Sequence, residues 1–272
     1  MRFFKMQNCG NDYIFVFNRL NAKQIKLICN RNFGIGGDGV VYLYNKNGLF
    51  GYEIYNSDAS KASFCGSVTL CLGLYLFKKY GIKNRCLITD AGLKKVEVLK
   101  KLNGLKVGVE VGKPRFRYNF NGKNGCVIEQ EFTLLIKGKT LNFTGGVVNV
   151  GNLHLVINKA CSPSMQEEIV NEINQSKIFK NGVNVEFVQL KNGVAEVDVY
   201  ERGSGKTLCC SSGACAVFAF FNKKGMVENE LKIKFRGGNV ITSMKNGKVW
   251  VHSFPQFLYY GNWRGEYDKS GL

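Results

Sequence analysis

The chain carries only two histidines, His154 and His252, and no C-x-x-C pair among its ten cysteines. A structural zinc site needs about four closely spaced nitrogen and sulfur ligands, so no metal is expected. No apolar stretch reaches the ~18 residues of a membrane-spanning helix, which excludes a membrane partner of that kind. The opening MRFFKMQNCGND has a basic residue but lacks the sustained apolar segment of a secretion signal, so a cytoplasmic location is expected. The net charge of +18 comes without any basic block longer than two adjacent residues. Dispersed lysine rarely builds a stripe that tracks a phosphate backbone, so nucleic acid is not an expected partner. The cysteines (Cys9, Cys29, Cys65, Cys71, Cys86, Cys126, Cys161, Cys209, Cys210 and Cys215) form no compact framework. They are expected as free thiols, most of them small buried hydrophobes.

What is present is a repeat. Tyr55-Asn56 is followed nine residues later by Cys65-Gly66-Ser67, then by an apolar run ending Lys78-Lys79-Tyr80-Gly81. Tyr200-Glu201 is followed nine residues later by Cys210-Ser211-Ser212, then by an apolar run ending Asn222-Lys223-Lys224-Gly225. Upstream, Gly10-Asn11 and Gly151-Asn152 form a second matching pair. Two similar halves would set two thiols symmetrically about one cleft.

The rest of the chain reads as strands punctuated by turns. Phe3 to Phe17 predicts a hairpin around Asn8 to Asp12, and Ala22 to Asn30 predicts a helix with Ile25, Ile28 and Cys29 inward. Gly66 to Lys79 and Ser211 to Asn222 predict buried helices, apolar almost throughout. A further helix is expected over Pro163 to Asn174. With strands in the majority and one buried helix per half, the fold class is α+β, without βαβ alternation. The 272 residues suffice for two modest domains. Lys113-Pro114 and the polar stretch Tyr118 to Gly125 mark the boundary, giving domains of 1–115 and 116–261. The end of the chain (262–272) is a candidate to rejoin the first.

Two glycine motifs fail on context. Gly34 to Gly39 matches G-x-G-x-x-G, but a helix precedes it and a strand follows, the reverse of a dinucleotide site. Gly203-Ser204-Gly205-Lys206-Thr207 lacks the earlier glycine of a phosphate loop, since Tyr200 stands there.

The cysteine sites suggest chemistry of their own. A helix N-terminus offers unpaired N–H groups and a partial positive charge, which bind carboxylates and lower a thiol pKa. Two such termini could clamp one carboxylate, with the adjacent α-carbon between the sulfurs. One sulfur would take the α-proton and the other would return a proton on the opposite face, inverting configuration. Cys71 and Cys215, inside the apolar runs, read as core. Cys65 and Cys210 stand at polar loop-to-helix junctions, each followed by small residues (Gly66-Ser67 and Ser211-Ser212) that let a ligand approach the backbone.

At these residues the chain resembles the diaminopimelate epimerase family of amino-acid racemases that work without pyridoxal phosphate. The resemblance runs through Lys5-Met6 with Gly10-Asn11-Asp12, Asn56-Ser57-Asp58 to Cys65-Gly66, Gly151-Asn152 with His154, Asn184 to Phe187, and Glu201-Arg202-Gly203 to Cys210 with Gly213-Ala214-Cys215. It implies two pseudo-symmetric α+β domains, each a curved mixed or antiparallel sheet around a central helix, with the active site in the cleft between them. It implies Cys65 and Cys210 as the acid–base pair, with no cofactor. It further implies that Asn11, Asn56, Asn152, Asn184, Glu201 and Arg202 hold the amino and carboxylate groups of an amino-acid substrate. Homodimers are common among such relatives.

The chain also departs from the family pattern. Gly39 replaces a usual glutamine, Ala59 a glycine, Ser67-Val68 an Asn-Gly, Leu153 a proline, Lys206 an acid and Ser211 a glycine. Polarity lost and room gained suit a bulkier, single-headed amino acid, so histidine is placed first and diaminopimelate next. A non-catalytic amino-acid-binding relative is the alternative outside enzymes, and retention of both cysteines argues against it.

Overall fold

A computed structural model of the chain describes residues 1–264 apart from 103, 121, 122, 127, 137 and 177, together with the side chains outside 117–126. Cys126, read as a free thiol, is therefore outside the described side chains, and the candidate return segment 262–272 is outside from 265 onward. None of the nine other cysteines is in a disulfide among the described residues. The chain divides into two compact units, one of Met1–Val109 with the chain from Phe254, the other Glu110–Ser253. These limits differ by several residues from those expected, and strand pairing gives the reason. Gln256–Asn262 runs antiparallel to Arg2–Asn8, so the chain is back in the first unit before residue 262. No described helix is long and apolar enough to cross a membrane.

In the first unit, Arg2–Asn8 and Asn11–Val16 form the expected hairpin, closed by Cys9 and Gly10 at φ of 50° and 88°. Asn11–Val16 then pairs in parallel with Gly39–Lys46, which runs antiparallel to Leu49–Asn56. Asn84–Thr89 and Gly92–Lys101 extend the mixed sheet. Helix α1 (Ala22–Cys29) starts on Asn21, whose side chain and Gln24 cap each other, and buries Ile25, Ile28 and Cys29. Helix α2 (Gly66–Tyr80) buries every residue from Gly66 to Leu76, as its unbroken apolar run requires. Tyr75 of α2 stacks on Phe4 of the sheet with ring centres 4.3 Å apart. Gly73 lets the helix sit close: a Cβ there would fall 2.5 Å from Val96 and 2.8 Å from Val107. Gly81 ends α2 in the left-handed conformation, its N–H returning to Phe77 O.

The second unit repeats the plan with different parts. Lys139–Asn149 pairs antiparallel with both Gln130–Ile136 and Leu153–Ile157. Leu153–Ile157 lies parallel to Asn184–Lys191, which pairs antiparallel with Val194–Glu201. Glu230–Phe235, Gly238–Lys245 and Lys248–Ser253 complete a meander. Helix α3 (Pro163–Gln175) is capped by Ser162 with proline in its first turn, a preorganised start. Helix α4 (Ser211–Lys223) is buried from Gly213 to Phe221. Phe220 presses the sheet so closely that a Cβ on Gly146 would come within 2.2 Å of its ring. Cys71 and Cys215, read as core, are fully buried in α2 and α4.

Candidate functional site

Each unit starts its buried helix on a cysteine: Cys65 is the residue before α2 and Cys210 the residue before α4. Both hold extended backbone, with φ of −140° and −131°. In both units the chain therefore turns into a helix at the cysteine; the Cys210 side chain accepts a first-turn N–H, and the Cys65 side chain makes no such cap bond.

In the first unit, Cys65 is half-buried, and the Tyr13 hydroxyl lies 3.4 Å from its sulfur. The Cys65 carbonyl is held twice more, by Thr69 Oγ1 at 2.8 Å and Tyr52 Oη at 3.3 Å, so the helix entry is pinned from its own first turn and from the sheet. Gly66 and Ser67 follow, both buried, with Asn8 Nδ2 at 3.5 Å from Ser67 Oγ. Asn11 faces Asn8 across the hairpin. Asn56 is exposed and donates to Ser60 Oγ at 2.9 Å; its strand partner is Gly39, which also pairs with Tyr13. Among the first-unit candidates, Asn11, Asn56, Cys65, Gly66 and Ser67 are thus linked through Asn8, Tyr13 and Gly39.

The glycine loop before Gly39 is tied by an ion cluster that the sequence reading missed. Arg31 forks onto Asp12 at 2.7 and 3.2 Å and reaches Asp38 at 2.8 Å. Lys5, almost buried, meets Asp12 at 2.7 Å and the Gly36 carbonyl at 2.7 Å. Asp38 also binds backbone: its carboxylate accepts the Asp12 N–H, and its carbonyl accepts the Ser57 N–H beside Asn56. Burial alone would raise Asp12, yet hydrogen bonds from Arg31 and Lys5 and their charges hold it below the usual carboxylate value. Asp38 goes the other way, because burial and the Asp12 charge outweigh the Asp12 N–H and Arg31. The signal was available: two acids and two bases flank the turn and the loop in a chain poor in acids.

In the second unit, the Cys210 sulfur accepts the Gly213 N–H at 3.3 Å and lies 3.4 Å from Ser212 Oγ. Asn152 donates to Ser212 Oγ at 3.3 Å and accepts from His154 Nε2 at 3.0 Å; the other ring nitrogen meets Glu186 Oε1 at 2.6 Å. Asn184 donates to the Leu153 carbonyl and accepts the Arg202 N–H, each at 2.9 Å. Arg202 is exposed, and its Nη1 donates to the Asn181 carbonyl at 2.7 Å. Glu201 accepts from Thr207 at 2.7 Å. The second-unit candidates (Asn152, Asn184, Glu201, Arg202, Cys210, Ser211 and Ser212) stand at three neighbouring strand ends and at the start of α4. The sequence reading named His154 but missed Glu186 as its partner.

Burial pushes the Cys210 thiol well above its ordinary value, and the charges of Glu201 and Glu186 add to it. The Ser212 and Gly213 hydrogen bonds act against this and lose. A helix N-terminus was expected to lower one thiol; at Cys210, desolvation and two carboxylates outweigh it. Glu201 is itself raised by burial, against hydrogen bonds from Thr207 and Cys210. Cys210 is therefore favoured as the neutral thiol. Among the described residues, no group of three or more His, Cys, Asp or Glu side chains is placed to hold a metal ion.

The diaminopimelate epimerase family model matches residues 3–117 and 146–253. A diaminopimelate epimerase of Leptospira biflexa is 34% identical, over 96% of this chain and 98% of its own. One of Rickettsia typhi is 31% identical, over 98% and 97%. Among solved structures, a hydroxyproline epimerase from Agrobacterium vitis superposes with a TM-score of 0.71, covering 96% of this chain and 91% of its own at 12% identity, a likeness of fold alone.

Proposed function

The chain belongs to the diaminopimelate epimerase family and is an isomerase, and on that premise we propose that it inverts the α-carbon of diaminopimelate with Cys65 and Cys210 as a cofactor-independent acid–base pair. The observation that carries this reading is the repeated cysteine at the entry of each unit's buried helix. A non-catalytic binding protein has no use for two such thiols, and family membership sets that alternative aside.

The energetic difficulty is the α-proton, which is very weakly acidic beside a carboxylate. First-turn helix N–H groups that meet the charge developing on that carboxylate would be the available compensation, each lost donor costing roughly 3 kcal/mol. In one direction Cys210, protonated in the arrangement above, donates while Cys65 abstracts. The reverse direction exchanges the roles, as microscopic reversibility requires.

Diaminopimelate now stands ahead of histidine. Arg202 presents an exposed guanidinium whose backbone and Nη1 are already anchored, and its other nitrogens make no hydrogen bond among the described residues. Such a fork suits a second carboxylate, which histidine lacks. The 34% identical relative named diaminopimelate epimerase supports the same choice. Gly39 and Ser67 are the features that favour a bulkier single-headed substrate, and they keep histidine as the second reading. Purified enzyme in deuterated buffer with LL-diaminopimelate, L-histidine or L-lysine decides: label at the α-carbon of diaminopimelate alone is expected, and label in histidine alone overturns the choice.

A further inference from the structure

Tyr13 occupies in the first unit the place that His154 occupies in the second. Each ring residue follows its Gly-Asn pair by two positions, Tyr13 after Asn11 and His154 after Asn152. Each then pairs in parallel with the next strand, Tyr13 with Gly39 and His154 with Asn184. The His154 ring meets Glu186 and Asn152. The Tyr13 ring reaches the thiol instead, with its Oη 3.4 Å from Cys65 Sγ.

The fold fixes Tyr13 in that place. The residue is buried on the strand Asn11–Val16, paired with Met6 on one side and Gly39 on the other. No side chain fits at residue 39: a Cβ there would fall 2.4 Å from the Tyr55 carbonyl oxygen and 3.4 Å from Tyr13 Cε1. The ring therefore keeps the space beside Gly39, and its hydroxyl keeps its reach to the sulfur. The two thiols differ at this point. Cys210 accepts the Gly213 N–H at 3.3 Å, whereas the Cys65 side chain makes no cap bond to α2. A phenol hydroxyl meets Cys65 where a helix N–H meets Cys210.

The chemistry of the pair gives that hydroxyl a role. With both groups neutral, either can donate. A phenol has an ordinary pKa of about 10 and a thiol of about 8.5, so the sulfur gives up its proton first. A thiolate has no proton to donate, so in the form able to abstract one the Tyr13 hydroxyl is the donor. A hydrogen bond made to the charged form favours that form. We propose that Tyr13 is a positioning residue for the first thiol: its hydroxyl donates to the Cys65 sulfur and holds that sulfur ready as the base. The phenol proton stays on oxygen throughout, and the α-proton passes from substrate to sulfur.

The other groups around Cys65 play different parts. Tyr52, on the strand Leu49–Asn56, meets the Cys65 carbonyl and N–H, and burial pushes its hydroxyl up, so it stays neutral. Cys71, within α2, is raised by burial and by the charges of Cys65 and of Cys9 in the hairpin turn. Lys94 sets its ammonium 4.7 Å from the ring centre of Phe64, the residue before Cys65.

The consequence for turnover rests on Cys65 being the acid–base group proposed above; the sulfur's state is read without turnover. The full chain, kept reduced, is treated with iodoacetamide at a series of pH values. Alkylation of Cys65 and of Cys210 is followed separately by peptide mass spectrometry. In the unaltered chain the Cys65 midpoint is expected below the ordinary thiol value of about 8.5. In Y13F, which removes one oxygen and keeps the ring, it is expected about one unit higher, with the Cys210 midpoint in place. Y52F loosens the same helix entry without touching the sulfur and is expected to leave the Cys65 midpoint where it was. An unmoved Cys65 midpoint in folded Y13F overturns the proposal, and so does an equal rise in Y52F. Should Y13F fail to fold, the unaltered chain still decides, because a Cys65 midpoint above about 8.5 overturns it alone. With diaminopimelate, the thiol limb of the pH–rate profile should move upward in Y13F together with the Cys65 midpoint. The expected alkylation shift in a chain without racemase activity would sink the catalytic reading and leave the hold of Tyr13 on the sulfur standing.

Discussion

The two cysteine-led helices occupy the same place in their units and live in different surroundings. Cys65 is half-buried, with a tyrosine hydroxyl at its sulfur. Cys210 is buried, with Glu201 and Glu186 raising its pKa and a serine and an N–H opposing them. Sequence symmetry supplied two thiols; burial and local charge made them unlike. Environment rather than residue type assigns acid and base in such pairs. The asymmetry predicts that at neutral pH the Cys210 half of the site rests protonated.

The strongest way to break the comparison is to delete one thiol at a time. Cys65→Ser and Cys210→Ser should each lower kcat by about a thousand-fold or more, because residues acting as a unit fail together. A variant that keeps near-normal turnover would leave only one half catalytic. Next comes Arg202, to which the first unit has no assigned counterpart. Arg202→Gln should raise KM for diaminopimelate by roughly 10- to 100-fold, the cost of a lost charge-assisted fork, and leave any histidine turnover unchanged. Equal losses on both substrates would remove Arg202 from distal recognition.

Packing offers a third contrast. Gly146→Ala in the second unit and Gly73→Ala in the first each place a Cβ inside contact distance, at 2.2 and 2.5 Å. Each should destabilise by about 1–3 kcal/mol, with Gly146 the worse, in chemical denaturation. A neutral Gly146→Ala would mean that Phe220 can move. The smallest effect concerns pH and the first unit. Asp12 is held low, so its contribution is complete above the ordinary carboxylate range and is lost as pH falls through its lowered value. Asp38 is held high, so its ionisation costs stability, and that cost disappears as pH falls below the ordinary value. Asp12→Asn should therefore destabilise more at about pH 6 than at about pH 3. Equal losses at both would show that its charge contributes nothing.

The helices were legible because α2 and α4 are apolar around their whole circumference and α1 sets Ile25, Ile28 and Cys29 on one face. The hairpin at Cys9-Gly10 and the helix stop at Gly81 were legible for the same local reason, since each needs a residue tolerant of positive φ. What the sequence hid was long-range. Nothing near Glu186 announces that it will meet His154, 32 positions away, and nothing local pairs Lys5 with the Gly36 carbonyl. A return of the chain to the first unit was expected from 262 onward, and the pairing of Gln256–Asn262 with Arg2–Asn8 places its start earlier. Which of the two cysteines would hold its proton was not legible, because the burial of Cys210 beside two carboxylates is a product of the fold.

The claim that two different thiols work on opposite faces of one α-carbon is tested most directly in deuterated buffer at early times with a single stereoisomer. Product should appear carrying one solvent deuterium while the remaining substrate stays unlabelled. Product that retains the substrate's own hydrogen, or substrate that gains label as fast as product forms, would mean a single base serving both faces.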